Sequence, residues 1–461
     1  MPSLTSLIWF RQDLRLADNA ALLAAIEAGP TACLYVLDDD TPGEWRIGGA
    51  QRWWLHHSLA SLALSLDAIG GKLILRRGPA VATAAAVANE IDATSIHANR
   101  HYEPWWRAID ADLAKRFPDQ GGATKTPRFI LHDGDTLVPP EQVRTGSGTP
   151  FKVYGPFYRA LAMHLPPPEP LPAPERIDPP AIAAKSDRLE DWRLLPTTPD
   201  WSTGFSDWHP GEVGAARLVD AFVAHAADYD RRRNLPSETG TSSLSPHLHF
   251  GEISPRTVWH ACAGLNATTF LKELAWRDFA RSVLLGQPDI ASHATRAEPR
   301  WRSGEQAESD FTAWTRGRTG YPIVDAGMRQ LSATGWMHNR VRMITASFLV
   351  KHLLIDWRRG AAWYWDRLVD ADLGSNSLNW QWTAGTGSDS SPFARIMAPL
   401  SQSAKFDAAQ YIRKWVPELA DLSDADIHDP VFRPADYPAP LIGHREARER
   451  AISALALGRA G

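Results

Sequence analysis

The strongest constraint on the fold of this 461-residue chain is a crowd of prolines: Pro166-Pro167-Pro168, Pro170, Pro172, Pro174, Pro179-Pro180, Pro196 and Pro199. Proline has no backbone N–H and a fixed φ, so neither a helix interior nor a central strand can run through such a stretch. The chain must fold on either side of it, joined by an extended connector. We expect that connector over residues 133–198. Inside it, Arg144-Thr145-Gly146-Ser147-Gly148 reads as a turn ahead of Pro150-Phe151-Lys152-Val153-Tyr154. Length alone suggests about three domains, and two larger ones fit as well.

Residues 1–132 alternate short apolar runs with helical patterns. Ser6–Phe10, Thr31–Val36, Lys72–Arg76 and Ser95–Ala98 read as strands. Asp18-Asn19 caps a helix over Ala20–Ala28, and further helices are expected over Gln51–Ile69, stopped by Gly70-Gly71, and over Val81–Asn89. This alternation predicts an α/β domain with a parallel, Rossmann-like sheet. No G-x-G-x-x-G follows any of these strands, so a dinucleotide site of the usual kind is not expected here. From 199 to 461 the pattern is all-helical, with helices expected over Phe270–Leu285, Pro322–Leu331, Gly335–Ile355 and Ala361–Leu368. Ser245-Pro246 and Ser254-Pro255 each put a capping hydroxyl before a first-turn proline.

Net charge is -4, so attraction to nucleic acid would have to come from a local basic patch. Cys33 and Cys262 lie far apart among apolar neighbours and read as reduced core residues, pointing to the cytoplasm. Met1-Pro2-Ser3-Leu4 lacks the basic start and apolar run of a signal peptide. No apolar stretch approaches the roughly 18 residues that span a membrane. The 20 tryptophans fit either large aromatic cores or stacking surfaces for planar ligands.

The stretch 320–382 mixes tryptophan, arginine, aspartate and asparagine with the apolar content of a core. Burying cations and amides is costly unless each finds a partner, so this segment reads as built around a bound polar molecule. On the helix from Phe270, the residues Glu273, Trp276, Arg277, Ala280 and Arg281 share a face, while Leu271, Leu274 and Phe279 can face the core. That face is either a solvated ion-pair stripe or a ligand wall. Trp336, Asn339, Arg340 and Met343 form a similar stripe. The hydroxyl-rich loop 235–245 leads into a helix and suits phosphate, or simply ends a loop. His247 and His249 have no cysteine or paired carboxylate at ligand spacing and read as structural. With no H-E-x-x-H, P-loop or G-x-S-x-G, a cofactor is left to carry the chemistry.

Several motifs are similar to those of the photolyase/cryptochrome family, closest to its class I/III-like cyclobutane pyrimidine dimer photolyases. They are Trp9-Phe10-Arg11-Gln12-Asp13-Leu14-Arg15-Leu16, Gly320-Tyr321-Pro322-Ile323-Val324-Asp325-Ala326-Gly327-Met328-Arg329, Gly335-Trp336-Met337-His338-Asn339-Arg340 and Asn379-Trp380-Gln381-Trp382. The resemblance covers nearly the whole chain in order. It implies an antenna-type α/β domain, an all-helical domain holding a folded FAD, and light-driven splitting of cyclobutane dimers in UV-damaged DNA by electron transfer. A photoreceptor without repair activity is the alternative; a chain ending soon after Arg459 and a full set of lesion contacts favour the enzyme, expected as a monomer without obligate protein partners.

By the same resemblance, Tyr229, Thr241, Ser242, Leu244 and Ser245 hold the ribityl-phosphate region of FAD. Arg277, Asn339, Arg342, Asp370, Asp372 and Asn376 complete its site, with Asn376 facing N5. Glu273, Trp276, Asn339, Arg340, Met343 and Trp382 contact the flipped lesion, and of these Glu273, Asn339, Met343 and Trp382 are assigned to catalysis. Met343, where relatives acting on (6-4) photoproducts use histidines, points to cyclobutane dimers. Trp380 and Trp357 match the first two members of a photoreducing tryptophan chain, with Trp301 as third and Trp314 as fallback. A second, antenna chromophore is left open among methenyltetrahydrofolate, a deazaflavin, another flavin and none, because Tyr102-Glu103-Pro104-Trp105 departs from the Asn-Glu pair of folate-binding members.

Overall fold

The computed structural model describes residues 4–118, 127–390, 393 and 395–460; the opening Met1–Ser3, read against a signal peptide, lies outside them. Strands β1 (Ser6–Phe10), β2 (Thr31–Leu37), β3 (Leu73–Arg77), β4 (Ser95–Asn99) and β5 (Arg128–His132) form one parallel sheet in the order β3-β2-β1-β4-β5. Helices α1 (Ala20–Ala28), α2 (Gly49–Ala68), α3 (Ala80–Glu90) and α4 (Pro104–Arg116) cover it. Two apolar cores flank the sheet because residues alternate sides along each strand. Ile8 and Phe10 pack with Trp54 and Leu59 on one face, and Leu7 and Trp9 with Ala84 and Ile109 on the other. Asn19 accepts from the Leu22 amide and sets the start of α1 as expected. The strand order reverses between β1 and β4, the place where open α/β sheets leave a crevice at their carboxyl ends.

The connector is partly folded. Helix α5 (Tyr154–Leu161) interrupts it, and beyond it the chain returns along the sheet domain, where Ile177 donates to the Ile69 carbonyl and Thr31 to that of Asp178. The remainder is helical: α6 (Glu212–Val223), α7 (Tyr229–Arg232), α8 (Ser245–His249), α9 (Pro255–Cys262), α10 (Thr268–Gly286), α11 (Glu305–Thr315), α12 (Pro322–Thr334), α13 (Asn339–Ser347), α14 (Trp357–Arg367), α15 (Leu373–Ala384), α16 (Pro399–Lys405), α17 (Ala409–Trp415) and α18 (His444–Ala460). Among the described residues, no helix is long and apolar enough to cross a membrane.

Two local expectations are corrected. The single helix over Gly335–Ile355 does not form. Gly335 takes φ +67 as the C-cap of α12, where a Cβ would meet Phe205 and Val369. The chain restarts at His338, whose ring accepts from the Arg340 amide, and α13 passes into a π-helical turn over Phe348–His352. Ser245 is not a cap: the cap position falls to Leu244, and the Ser245 hydroxyl accepts from the Trp336 indole instead. Leu274 and Phe279 are core as expected, and half-buried Leu271 packs against the same cluster.

Candidate functional site

A seam of buried charge joins the two halves. Asp135, on the connector, is 6% exposed and pairs with both Arg277 and Arg281 of α10; Arg281 also pairs with Asp372, the N-cap of α15. Burial works against ionising Asp372 and Asp135, but the arginine charges outweigh it and hold both carboxyls below the usual range. Arg15 reaches across from the sheet domain to the Gly251 carbonyl at 3.0 Å. Glu103, buried at the start of α4, faces the same Arg281, and burial raises its carboxyl. The Tyr102-Glu103 pair is therefore packed into the seam. His247 and His249 are buried here too, bonded to Glu252 and Gln51.

Beyond the seam, Arg342 of α13 forms a two-pronged pair with Asp370 at 3.1 and 2.9 Å and donates to the Met337 carbonyl at 2.7 Å. Asp372 caps α15 by accepting from Ser375, and one turn on Asn376 gives its Nδ2 to the Ala361 carbonyl at 3.1 Å. That bond leaves the Asn376 oxygen as its free, accepting end. His338 is 3% exposed; with Nδ1 used by Arg340, its Nε2 is buried without a protein partner. Across from these, Thr241 and Ser242 are half-buried, Ser245 is exposed, Leu244 is buried, and Tyr229 packs edge-on against Phe270. Cations with fixed counter-ions, a free amide oxygen, an orphaned imidazole and a hydroxyl loop are the donor set a flavin nucleotide needs, so the residues present fit FAD. Arg277 is spent on Asp135 and the Leu248 carbonyl, which ties it to the seam.

The face predicted on α10 exists. Glu273 pairs with Arg233 at 2.5 Å, so donating a proton to a pyrimidine carbonyl would require breaking that pair. Trp276 lies flat on Tyr154, ring centroids 3.6 Å apart and planes within 5°. Arg340 is held by Asn234 and stands over Phe406; Met343 lies one turn along, with its sulfur 3.6 Å from Arg340. Trp382 is half-buried and Asn339 exposed. Tyr154, Arg233 and Asn234 escaped the sequence reading as contacts of this face.

Trp380 and Trp357 are buried. Trp380 packs onto Gly360, one turn along α14 from Trp357, and a Cβ at Gly360 would strike its ring. Trp301 is half-buried and shares a hydrogen-bond acceptor with Trp357: Glu298 Oε1 takes the Trp357 indole N–H at 3.1 Å and that of Trp301 at 3.3 Å. Trp314, the fallback, instead touches Trp380, with centroids 6.4 Å apart.

Two family models match in chain order: DNA photolyase over residues 6–175 and the FAD binding domain of DNA photolyase over 270–456. The chain belongs to the DNA photolyase/cryptochrome family. It is 45% identical to a deoxyribodipyrimidine photo-lyase of Agrobacterium fabrum, over 98% of this chain and 97% of that one. Against the crystal structure of a bacterial class III photolyase from Agrobacterium tumefaciens the TM-score is 0.94 at 44% identity, covering 100% of this chain and 99% of the other. Cryptochrome-1 of Arabidopsis thaliana is 35% identical over 98% of this chain and 70% of its own length.

Proposed function

We propose that the protein is a deoxyribodipyrimidine photo-lyase, which uses light to split cyclobutane pyrimidine dimers in DNA. The observation that carries this reading is the juxtaposition of an FAD-compatible cradle (Arg342–Asp370, Asn376) with an aromatic and cationic rim (Trp276, Arg340, Met343) on helices α10 and α13. FAD, when bound and reduced, supplies the light-absorbing group and the electron that opens the cyclobutane ring.

The protein's own part is binding and orientation. Photolyases take the target nucleotides out of the duplex, at an extrusion cost of a few kcal/mol that is least for damaged bases. Trp276 and Trp382 replace lost stacking, worth roughly 1–3 kcal/mol per base. Arg340, fixed by Asn234, offers a cation to the lesion backbone, and Glu273 orients Arg233 on the same side. Asn376 and the Arg342–Asp370 pair hold the polar edge of the cofactor, with Tyr229 and the 241–245 loop supporting its phosphate end. Trp380, Trp357 and Trp301 pass electrons inward to restore its reduced state.

Residues 1–132 serve as the antenna half, 133–198 as connector and 199–461 as the FAD and lesion half. A cleft of about 710 Å³ between the ends of β2 and β3 and helix α14, lined by Trp45, Arg52, Arg77 and Trp365, suits a planar second chromophore. The two buried free thiols, Cys33 and Cys262, agree with a cytoplasmic enzyme. The test is incubation of reduced protein with a dimer-containing oligonucleotide in light and in darkness. Loss of dimers only in light supports the assignment; flavin photoreduction without any repair would replace it with a photoreceptor.

A further inference from the structure

Glu298 stands outside every motif so far discussed, and its surroundings are unusual. Its Oε1 accepts the indole N–H of Trp357 at 3.1 Å and that of Trp301 at 3.3 Å. Arg358 braces both carboxylate oxygens, with one N–H on the same Oε1 at 3.0 Å and another on Oε2 at 2.9 Å, and is itself fixed by Asp356 and the Ser292 carbonyl. The Arg358 guanidinium also lies 4.7 Å from the Trp357 ring centre. One oxygen of this carboxylate thus takes the indole N–H of two tryptophans as well as an Arg358 N–H.

We infer that Glu298 is a positioning residue of the electron relay: its carboxylate stabilises the positive charge left when Trp357 or Trp301 gives up an electron, and so draws that charge outward from Trp380. The inference rests on the tryptophan-relay reading given above. One electron leaves the indole for the light-excited flavin, the positive charge stays on the indole, and no covalent bond is made or broken. The N–H remains on its nitrogen and an external thiol later refills the vacancy. Retention of the proton follows from the pairing. Burial works against ionising Glu298, but Arg358 and the two indole donors outweigh it and keep the carboxyl below its usual range, so it is a weak proton acceptor.

Glu298 Oε1 lies on the N–H edge of both indoles, at 3.1 and 3.3 Å, and Asp356 offsets part of the Arg358 charge that faces the Trp357 ring. A hydrogen bond to a charged acceptor is about twice as strong as a neutral one. The second indole on the same oxygen lets the charge move from Trp357 to Trp301 with its counter-ion already in place. Positive charge on Trp301, which is half-buried, is then within reach of a reductant in solution.

Flash excitation of the FAD-loaded, oxidised protein, followed by transient absorption of the tryptophan radical, tests this. Glu298→Gln keeps shape and an accepting oxygen but removes the charge. We expect it to lower the yield of long-lived tryptophan radical by about tenfold, with FAD content unchanged. Glu298→Asp restores the charge and should recover most of the yield. Parent-like yield in Glu298→Gln, or equal loss in both variants, overturns the inference. Trp357→Phe, measured alongside, separates the two levels: if it also leaves the signal intact the relay itself fails, and if it alone abolishes the signal only the role of Glu298 does.

Discussion

Replacing Trp276 with alanine should weaken binding to dimer-containing DNA while leaving affinity for undamaged duplex unchanged. One face of the indole is covered by Tyr154 at 3.6 Å, so a single face remains for a base. Base–aromatic stacking is worth roughly 1–3 kcal/mol per base on alanine substitution. At 1.4 kcal/mol per tenfold, the Kd for lesion DNA should rise about 5- to 150-fold. Undamaged duplex is held by phosphate contacts that carry no base information, and Trp276 adds nothing to those. The assay is fluorescence anisotropy with matched damaged and undamaged oligonucleotides at one salt concentration, with flavin absorbance as the check on cofactor content. Trp276→Phe keeps a ring against Tyr154 and should recover most of the discrimination. Equal loss of affinity for both DNAs, or a bleached protein, would refute the reasoning, since either places Trp276 in the fold or the cofactor site.

Trp380→Phe should slow photoreduction of the oxidised cofactor, because Trp380 bridges to α14 over Gly360; equal rates in variant and parent would remove it from the relay. Arg342→Ala leaves Asp370, with a side chain 3% exposed, buried without its partner, which costs about 3–5 kcal/mol and should appear as a lower melting temperature and poor FAD retention. Lys351 is 1% exposed, with the Phe393 carbonyl and ring as its polar contacts among the described residues, and burial lowers its ammonium to about 7. The penalty for burying the charge is absent above the unfolded value of 10.5 and grows as pH falls from 10.5 to 7, reaching on the order of 4 kcal/mol at neutrality. Lys351→Met should therefore flatten the rise in denaturant stability between pH 7 and pH 10; an unchanged slope would place the ammonium in contact with water.

The strands of the α/β half were legible because each is a short apolar run between turn signals, buried on both faces of a parallel sheet. Helix α4 and strand β5 were not. The stretch from Tyr102 was weighed only against the Asn-Glu pair of folate-binding members, and Arg128–His132 pairs only with β4 at the sheet edge. The break at Gly335 could be read only by knowing that its φ is positive, since Gly335 to Ile355 keeps helical spacing throughout. The α10 stripe was readable because a helical face is a local property of sequence. Its partners were not: Asp135 meets Arg277 from 142 positions away, and Tyr154 meets Trp276 from the connector. Trp301 and Trp314 were likewise indistinguishable along the chain, since their neighbours are set by Glu298 and by the packing around Trp380.

The seam carries a consequence for how light would reach the site. Replacing buried ion pairs with apolar groups often stabilises a protein, so Arg277, Arg281, Asp135 and Asp372 are poor candidates for the main source of stability. What they contribute is orientation. An apolar interface between two domains tolerates sliding, whereas Arg281 bonded at once to Asp135 and Asp372 admits one docking geometry. Arg15, bonded to Gly134 on the connector and Gly251 on the helical side, fixes the same geometry from the sheet. Because Asp372 also caps α15, the helix that carries Asn376 and Trp380, the arrangement of the sheet domain is transmitted to the cofactor cradle through fixed bonds. Energy transfer between two chromophores depends steeply on their separation and mutual angle. A charged seam of this kind would hold that geometry fixed for any chromophore bound in the sheet domain.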